Sequence, residues 1–386
     1  AALLLPALAA AVAPSDTIPG YLGKDYGIAV EEHAVTTADG YKLGAFRLPR
    51  PGRPAVLLQH GILASAWCWL DNEAALSPGL QLYEAGYDVW LTNSRGNTYS
   101  VNHTEHSWSS DKAFWNFSFD EMGRYDVPAN IEYVLKATGK RSLSYVGWSQ
   151  GSTQFLVAMQ DPGLRPLLQR SVGLFVALSP VAFLDHAGGI VRLVSELRIG
   201  DLLQKAFPYG FLTTRGLPTA AQFLCKVSLG ALCSITVDAI CGSSRLDDTH
   251  ALTNLTAHFP AGTSVKALDH YEQILDSGRF ASFDYGKEGN LRQYGQEQSP
   301  SYGTEFAVPT ALFVGTHDLL AGPQDAGKLI AANRGNPKLV FNGTFDGFSH
   351  VSWFVGKRPA FGSWFPKLLA LLRQHSPSPA TLEVLI

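Results

Sequence analysis

The chain has 386 residues and a formal net charge of −3, and 16% of its residues are charged against 46% hydrophobic. That length can bury a sizeable core, in one large domain with insertions or in two domains. Near-neutral charge gives no sign of nucleic acid or another polyanionic partner. A charged share below the usual quarter or so leaves much apolar material for a large core or an apolar binding surface.

Residues 1–13 (AALLLPALAAAVA) form an uncharged apolar run without an initiator methionine or a basic flank. The run is too short to span a bilayer, and it is read as a signal-peptide remnant. Ala11 and Ala13 suit signal peptidase, although Pro14 disfavours cleavage directly after Ala13. Sequons at Asn102, Asn254 and Asn342 agree with passage through the secretory pathway. A fourth, at Asn116, lies in FWNFSFDEM, a stretch apolar enough to predict partial burial.

Glu31 to Leu48 alternates on either side of Asp39-Gly40, which predicts a hairpin of two edge strands. Ala55 to Gln59 reads as the first fully buried strand and runs into His60-Gly61-Ile62-Leu63. Tyr87 to Leu91 is another, followed by the loop NSRGN. Trp115 to Leu135 has helical spacing, with Pro128 as its main interruption.

Leu143 to Val146, then GWSQG, then Ser152 to Met159 reads as strand, sharp turn and helix with a serine at the tip. This is a nucleophile elbow. Gly147 and Gly151 flank Ser149 at the two positions where a side chain would crowd the turn, and the Gln150 N–H opens the helix facing the oxygen that becomes negative in a tetrahedral intermediate.

Val172 to Leu178, Thr310 to Val314 and Lys338 to Phe341 are further strands, and Phe361 to His375 is a terminal helix. Strands alternating with helices predict a mostly parallel sheet with helices on both faces. The rhythm fails over residues 181–307, a mainly helical stretch read as a cap inserted between two parts of one core, residues 20–180 and 308–376, with a tail at 377–386.

An elbow serine needs a base, and the base needs a carboxylate that fixes its tautomer, in chain order serine, acid, histidine. Asp318 directly follows a buried strand and is the preferred acid, with Asp346 and Asp325 as rivals. His350 lies in the loop after the last strand and is the preferred base over His375. The second oxyanion donor is expected in the bend after the first buried strand, at the Ile62 N–H, with Leu63 as alternative.

With these residues in place the chain resembles the acid lipase family of α/β-hydrolases, which includes gastric and lysosomal acid lipases and related plant and fungal lipases. The resemblance rests on LQHGILAS, AGYDVWLTNSRGNT, FWNFSFDEM, YVGWSQGS, PAGTSVKALDHYEQ, HDLLAGPQD and FSH. It implies an α/β-hydrolase fold with a mobile lid in its cap and no metal or other cofactor. The implied activity is hydrolysis of long-chain acylglycerols or steryl esters through an acyl-enzyme. It carries over Ser149, Asp318 and His350 as the triad and Ile62 with Gln150 as oxyanion donors. Lipid and the lipid–water interface are the expected partners, and the expected destination is outside the cell or the lysosome or vacuole. Two positions depart from the family pattern: Trp148 stands where histidine is usual and Ser349 where asparagine is usual. Both leave the reaction class intact and bear on substrate preference and pH optimum.

Three cysteines, Cys225, Cys233 and Cys241, fall together in the cap, and Cys68 stands alone. The family pairs the first two of such a trio, which implies Cys225 with Cys233, while the spacing also permits Cys233 with Cys241. Either pairing needs a break in the helix, for instance at Gly230. The surrounding FLCKVSLGALCSITVDAIC carries only Lys226 and Asp238 as charges, yet its hydroxyl residues make it a poor membrane span. It is read as a lid with an apolar underside, with a buried cap helix as the alternative. A carboxylesterase for small esters, a peptidase on the same scaffold and a non-catalytic lipid carrier are the rival functions.

Overall fold

The computed structural model describes residues 17–188, 207–213 and 231–376. Its centre is a nine-stranded sheet in the order β1-β2-β4-β3-β6-β7-β8-β9, with β5 (Asn102–His103) paired to β2. β1 (Glu31–Thr36), β2 (Tyr41–Leu48) and β4 (Asp88–Thr92) run antiparallel to their neighbours in that order. From β4 onward through β3 (Ala55–Gln59), β6 (Leu143–Trp148), β7 (Val172–Leu178), β8 (Thr310–Gly315) and β9 (Leu339–Phe345) every pairing is parallel. The hairpin at Asp39-Gly40 forms, but β2 is not an edge strand: it pairs with β1 on one side and β4 on the other, and only β1 is marginal. Local alternation marks which face is buried and carries no information about a third strand.

The central strands are apolar on both faces because both are covered. Val56 and Leu58 of β3, Val146 and Trp148 of β6, and Leu174 and Val176 of β7 enter one core, while Leu57, Tyr145 and Phe175 enter the other. Helices Pro78–Glu84 and Arg358–His375 close the first face, and Val127–Thr138, Gln150–Gln160 and Arg165–Ser171 close the second. The terminal helix buries Phe361, Trp364, Phe365, Leu368 and Leu372 on one stripe, each worth roughly 1.5–3 kcal/mol of transfer free energy. Its internal Pro366 is tolerated because both it and Gly362, whose carbonyl loses a helical donor, are on the exposed side.

Pro128 does not interrupt the helix expected over Trp115 to Leu135. It occupies the first turn of Val127–Thr138, where a missing N–H is harmless. The breaks lie earlier: Lys112–Trp115 is one 3₁₀ turn, Ser118 starts a new helical segment with a capping box to Glu121, and Met122–Asp126 is a π-turn.

Every strand of the sheet lies outside residues 181–307. The described helices of that segment are Ala231–Cys241, Thr249–His258, Val265–Ser277 and Gly286–Tyr294. Among the described residues no helix is long and apolar enough to cross a membrane.

Candidate active site

Chain order reverses between β3 and β6, and in open α/β sheets the crevice at such a reversal, beyond the carboxyl ends of the strands, is where ligands bind. β6 delivers Ser149 there. The residue has φ 53° and ψ −121°, a conformation unfavourable for a side-chain-bearing residue. Its surroundings hold it in place. The Ser149 N–H donates to the Leu178 carbonyl at 3.0 Å, and its own carbonyl accepts from the N–H groups of Ser152 and Thr153 at 2.8 and 3.1 Å. A Cβ at Gly147 would collide with the Gly151 backbone, and one at Gly151 with the Gln59 and His60 carbonyls, so neither position has room for a side chain. Gln150 begins the helix Gln150–Gln160, where backbone N–H groups have no partner within the helix.

The loop after β3 comes against this turn. A Cβ built on Gly61 would lie 2.9 Å from Ser149 Cβ and 2.9 Å from the Trp148 ring, so only glycine fits between the loop and Ser149. Leu63 has φ 59°, and its carbonyl accepts from the Ala261 N–H, in the segment 181–307, at 2.6 Å. His60 is buried, and its Nε2 accepts from the Ser94 N–H at 3.0 Å, so Nδ1 carries the proton and donates to the Gly61 carbonyl at 2.7 Å. Burial lowers its pKa to about 4, with the Gly61 bond acting in the other direction.

Asp318, beyond β8, and His350, beyond β9, meet on the same edge of the sheet. His350 Nδ1 lies 3.0 and 2.9 Å from the two oxygens of Asp318, which places its proton on Nδ1 and leaves Nε2 with a lone pair. Asp318 Oδ1 also accepts from the N–H groups of Leu320 and Ala321 at 2.9 and 2.8 Å. Burial opposes ionisation of Asp318, yet the His350 ring, the Ser179 hydroxyl and the Ala321 N–H outweigh it and hold the carboxyl below its usual range. Trp148 ties the two halves together: its indole N–H donates to the His350 carbonyl at 2.9 Å, so the residue before Ser149 grips the main chain of the histidine.

The rival residues are engaged elsewhere. Asp325 bonds the N–H and ring of His186, Asp346 accepts from Thr316, and His375 ends the terminal helix. Two contributors escaped the sequence reading. Ser179, buried at φ 49° just past β7, supports Asp318 and accepts from the Trp353 indole at 2.7 Å. Asp247, from the segment 181–307, accepts from the hydroxyls of Ser349 and Ser352. Ser179 has no motif around it, and Asp247 lies far from His350 in the chain.

Asn116 is exposed rather than partly buried, because its neighbours Trp115 and Phe117 turn inward on either side of it. Asn102 and Asn342 are exposed too. Asn254 is half-buried, and its amide nitrogen donates to the Asp71 carbonyl at 3.2 Å. Cys68 and Cys241 are free thiols, so a Cys233–Cys241 bridge is not formed. Cys225 and the side chain of Cys233 lie outside the described residues, as does most of the lid stretch. The helix Ala231–Cys241 that closes that stretch is not a buried cap helix, for Ile235 is 67% exposed. Among the described residues no group of three or more His, Cys, Asp or Glu side chains could hold a metal ion.

Comparison with known proteins bears on the fold and the family. A family model described as alpha/beta hydrolase fold matches residues 54–356, and one described as a partial alpha/beta-hydrolase lipase region matches residues 20–73. Gastric triacylglycerol lipase of Homo sapiens is 37% identical over 346 residues, covering 85% of this chain and 84% of that protein. Lysosomal acid lipase/cholesteryl ester hydrolase of Macaca fascicularis is 35% identical over 367 residues, covering 91% and 89%. Among solved structures, a putative aryl esterase from Burkholderia cenocepacia superposes with TM-score 0.51 at 14% identity, over 89% of this chain and 99% of that one, a likeness of fold alone. A serine at a strained elbow, a histidine–carboxylate pair on the same sheet edge and relatives of this identity over most of their length lead to one conclusion: the chain belongs to the acid lipase family of α/β-hydrolases, carboxylic ester hydrolases of the lipase type.

Proposed function

We propose that the chain hydrolyses long-chain acylglycerols, and by extension steryl esters, with Ser149, Asp318 and His350 as its triad. His350 Nε2 takes the Ser149 proton as Oγ attacks the ester carbonyl, and Asp318 holds the ring in the required tautomer and stabilises the imidazolium. The N–H groups of Gln150 and Ile62 receive the oxyanion. Collapse of the intermediate expels the alcohol, which takes its proton from His350, and leaves an acyl-serine. A water deprotonated by His350 then releases the fatty acid. The observation that carries this reading is the convergence of the Asp318–His350 pair on Trp148, the residue next to Ser149.

The lipid preference draws on the names of the relatives and on exposed apolar side chains in the segment 181–307, among them Phe207, Tyr209 and Ile235. We read that segment as a cap whose apolar surface meets the lipid–water interface. The leader-like residues 1–13 and the exposed sequon residues Asn102 and Asn342 support passage through the secretory pathway, toward secretion or a lysosome-type compartment. Glycosylation at Asn254 would require its bond to Asp71 to be given up.

Fatty-acid release from emulsified long-chain triacylglycerol, beside a soluble short-chain ester, tests the reading at mildly acidic pH with Ser149→Ala as blank. Preference for the emulsion is expected. Turnover of the soluble ester alone would make the protein a carboxylesterase. Silence on both, with no fluorophosphonate labelling of Ser149, would make it a lipid carrier.

A further inference from the structure

The loop that carries His350 is held from the cap side by the short segment from Cys241 to Asp248. Cys241 ends its helix with a carbonyl that accepts from the His350 N–H at 3.0 Å and from the Leu319 N–H, beside Asp318, at 3.4 Å. Ser244 Oγ donates to the Gly347 carbonyl at 2.6 Å, and the Asp248 N–H donates to the Val355 carbonyl at 2.8 Å. At Gly242, φ 93°, the segment passes so close to the His317 carbonyl that a Cβ could not be placed there.

Asp247 is the buried carboxylate of this segment. Its Oδ2 accepts from Ser349 Oγ at 2.7 Å and its Oδ1 from Ser352 Oγ at 2.5 Å. A carboxylate can only accept, so both hydroxyl protons must point at it, and the oxygen lone pairs of the two serines are left for other donors. Those donors are main-chain groups on either side of the catalytic histidine. The Ser349 N–H donates to Ser352 Oγ at 2.9 Å, and the Val351 N–H donates to Ser349 Oγ at 3.3 Å. With the His350 N–H on Cys241, three consecutive N–H groups are anchored to the cap segment.

We infer that Asp247 is a positioning residue for ester hydrolysis: by fixing the polarity of the Ser349 and Ser352 hydroxyls it holds the main chain on both sides of His350 in the catalytic register. The inference rests on His350 being the base. It also accounts for Ser349, which stands where the family usually has asparagine: the hydroxyl both donates to a carboxylate and accepts from a backbone N–H. Charged groups facing Asp247 are Asp238, on the helix Ala231–Cys241, and Lys357, whose Nζ donates to the Arg245 carbonyl at 2.9 Å. Burial raises the Asp247 pKa to about 6, against the pull of the Ser352 and Ser349 bonds; Asp238 adds to the rise and Lys357 opposes it. The ionised form that fixes the hydroxyls is therefore the dominant one above that pH.

The test is steady-state kinetics on a soluble p-nitrophenyl butyrate substrate, which avoids interfacial effects, with Asp247→Asn, Ser349→Ala and Ser349→Thr beside the wild type. An asparagine amide must donate to one serine, so the hydroxyl polarity is no longer imposed. Expected for Asp247→Asn is a fall in kcat of about tenfold with KM within about twofold, the order set by losing one charge-assisted bond. The wild-type-to-variant ratio of kcat is expected to shrink as pH falls below about 6, where the wild-type carboxyl is itself protonated. Ser349→Ala is expected to lower kcat in the same way and Ser349→Thr, which keeps the hydroxyl, to restore it. Should Asp247→Asn fail to fold, Ser349→Ala decides, because it leaves the carboxylate paired with Ser352. Folded variants with wild-type kcat overturn the inference, and so does a wild-type-to-variant ratio that is constant with pH. A wild type that neither turns over ester nor takes a fluorophosphonate at Ser149 overturns the hydrolase reading and this inference with it. A wild type that does both, beside unaffected variants, overturns the inference alone.

Discussion

Asp318→Asn replaces one oxygen of a carboxylate that makes four short contacts: two from the N–H groups of Leu320 and Ala321 to Oδ1, and two from His350 Nδ1. The backbone donors can only be met by an oxygen, so the asparagine keeps its carbonyl at Oδ1 and places its NH₂ at Oδ2, 2.9 Å from His350 Nδ1. That NH₂ repels a proton on Nδ1, and Oδ1, 3.0 Å from Nδ1, already accepts from two backbone N–H groups, so the balance shifts to the tautomer with its proton on Nε2. That nitrogen then has no lone pair for the Ser149 proton. The geometry of the site survives while its base is lost, and the expected fall in kcat is about 10⁴, or some 5.5 kcal/mol of transition-state stabilisation. Stability should move far less, since the variant also removes a buried charge. The assay is kcat on a soluble ester, with thermal melting as control and with Asp325→Asn, a substitution away from His350, as reference. Turnover by Asp318→Asn within tenfold of wild type, in a protein that melts normally, would refute the assignment of Asp318 as the tautomer-setting residue.

Gly151→Ala drives a methyl group into the Gln59 and His60 carbonyls, and Gln59 is held by strands on both sides. A loss of about 3 kcal/mol or more is expected in urea unfolding, at or above the upper end of ordinary overpacking, and an unchanged midpoint would count against the elbow packing. Arg95, 1% exposed, is pinned between Asp39 and the buried Asp126. Arg95→Met should cost about 3–5 kcal/mol by leaving Asp126 unpaired, with much of it regained in Arg95→Met/Asp126→Asn. Stability across acid pH should show two opposed slopes. His60, lowered to about 4, favours the fold above its unfolded pKa near 6.5 and loses that contribution as pH falls toward 4, by up to ~3 kcal/mol. Asp247, raised to about 6, favours the fold below its unfolded pKa near 3.9 and loses that contribution as pH rises through 6, by a similar ~3 kcal/mol at most. Urea midpoints from pH 4 to 6 should therefore tilt in opposite directions in His60→Gln and Asp247→Asn; parallel profiles would contradict the two assignments.

Much of this molecule is legible in its residue order because the decisive features are local. Val172–Leu178 has the unbroken apolar run of a strand covered on both faces, and GWSQG needs only a strand before it and a helix after it to define the elbow. Asp318 could be chosen because it directly follows a buried strand and His350 because it lies in the loop after the last strand, and strand ends in a parallel sheet share one edge. Local reading failed where the backbone changed its winding, as at Met122–Asp126, whose π-turn has no distinct side-chain spacing, and where an apolar neighbourhood stood for burial, as at Asn116, whose neighbours Trp115 and Phe117 turn inward and leave it exposed.

What the sequence by itself determined is the family and its class of reaction, together with Ser149, Asp318 and His350 as candidates for the triad, because residue type, spacing and the ends of apolar runs are short-range properties. Only the tertiary structure decided how those groups are held. β2 is interior because β4, distant in the chain, closes on the side that its hairpin partner β1 leaves open, Trp148 reaches the His350 carbonyl across the sheet edge, and Asp247 meets Ser349 from across more than a hundred positions of chain. These bonds depend on where distant backbones converge, and hydrogen-bonding partners chosen by convergence leave no periodic trace along the chain.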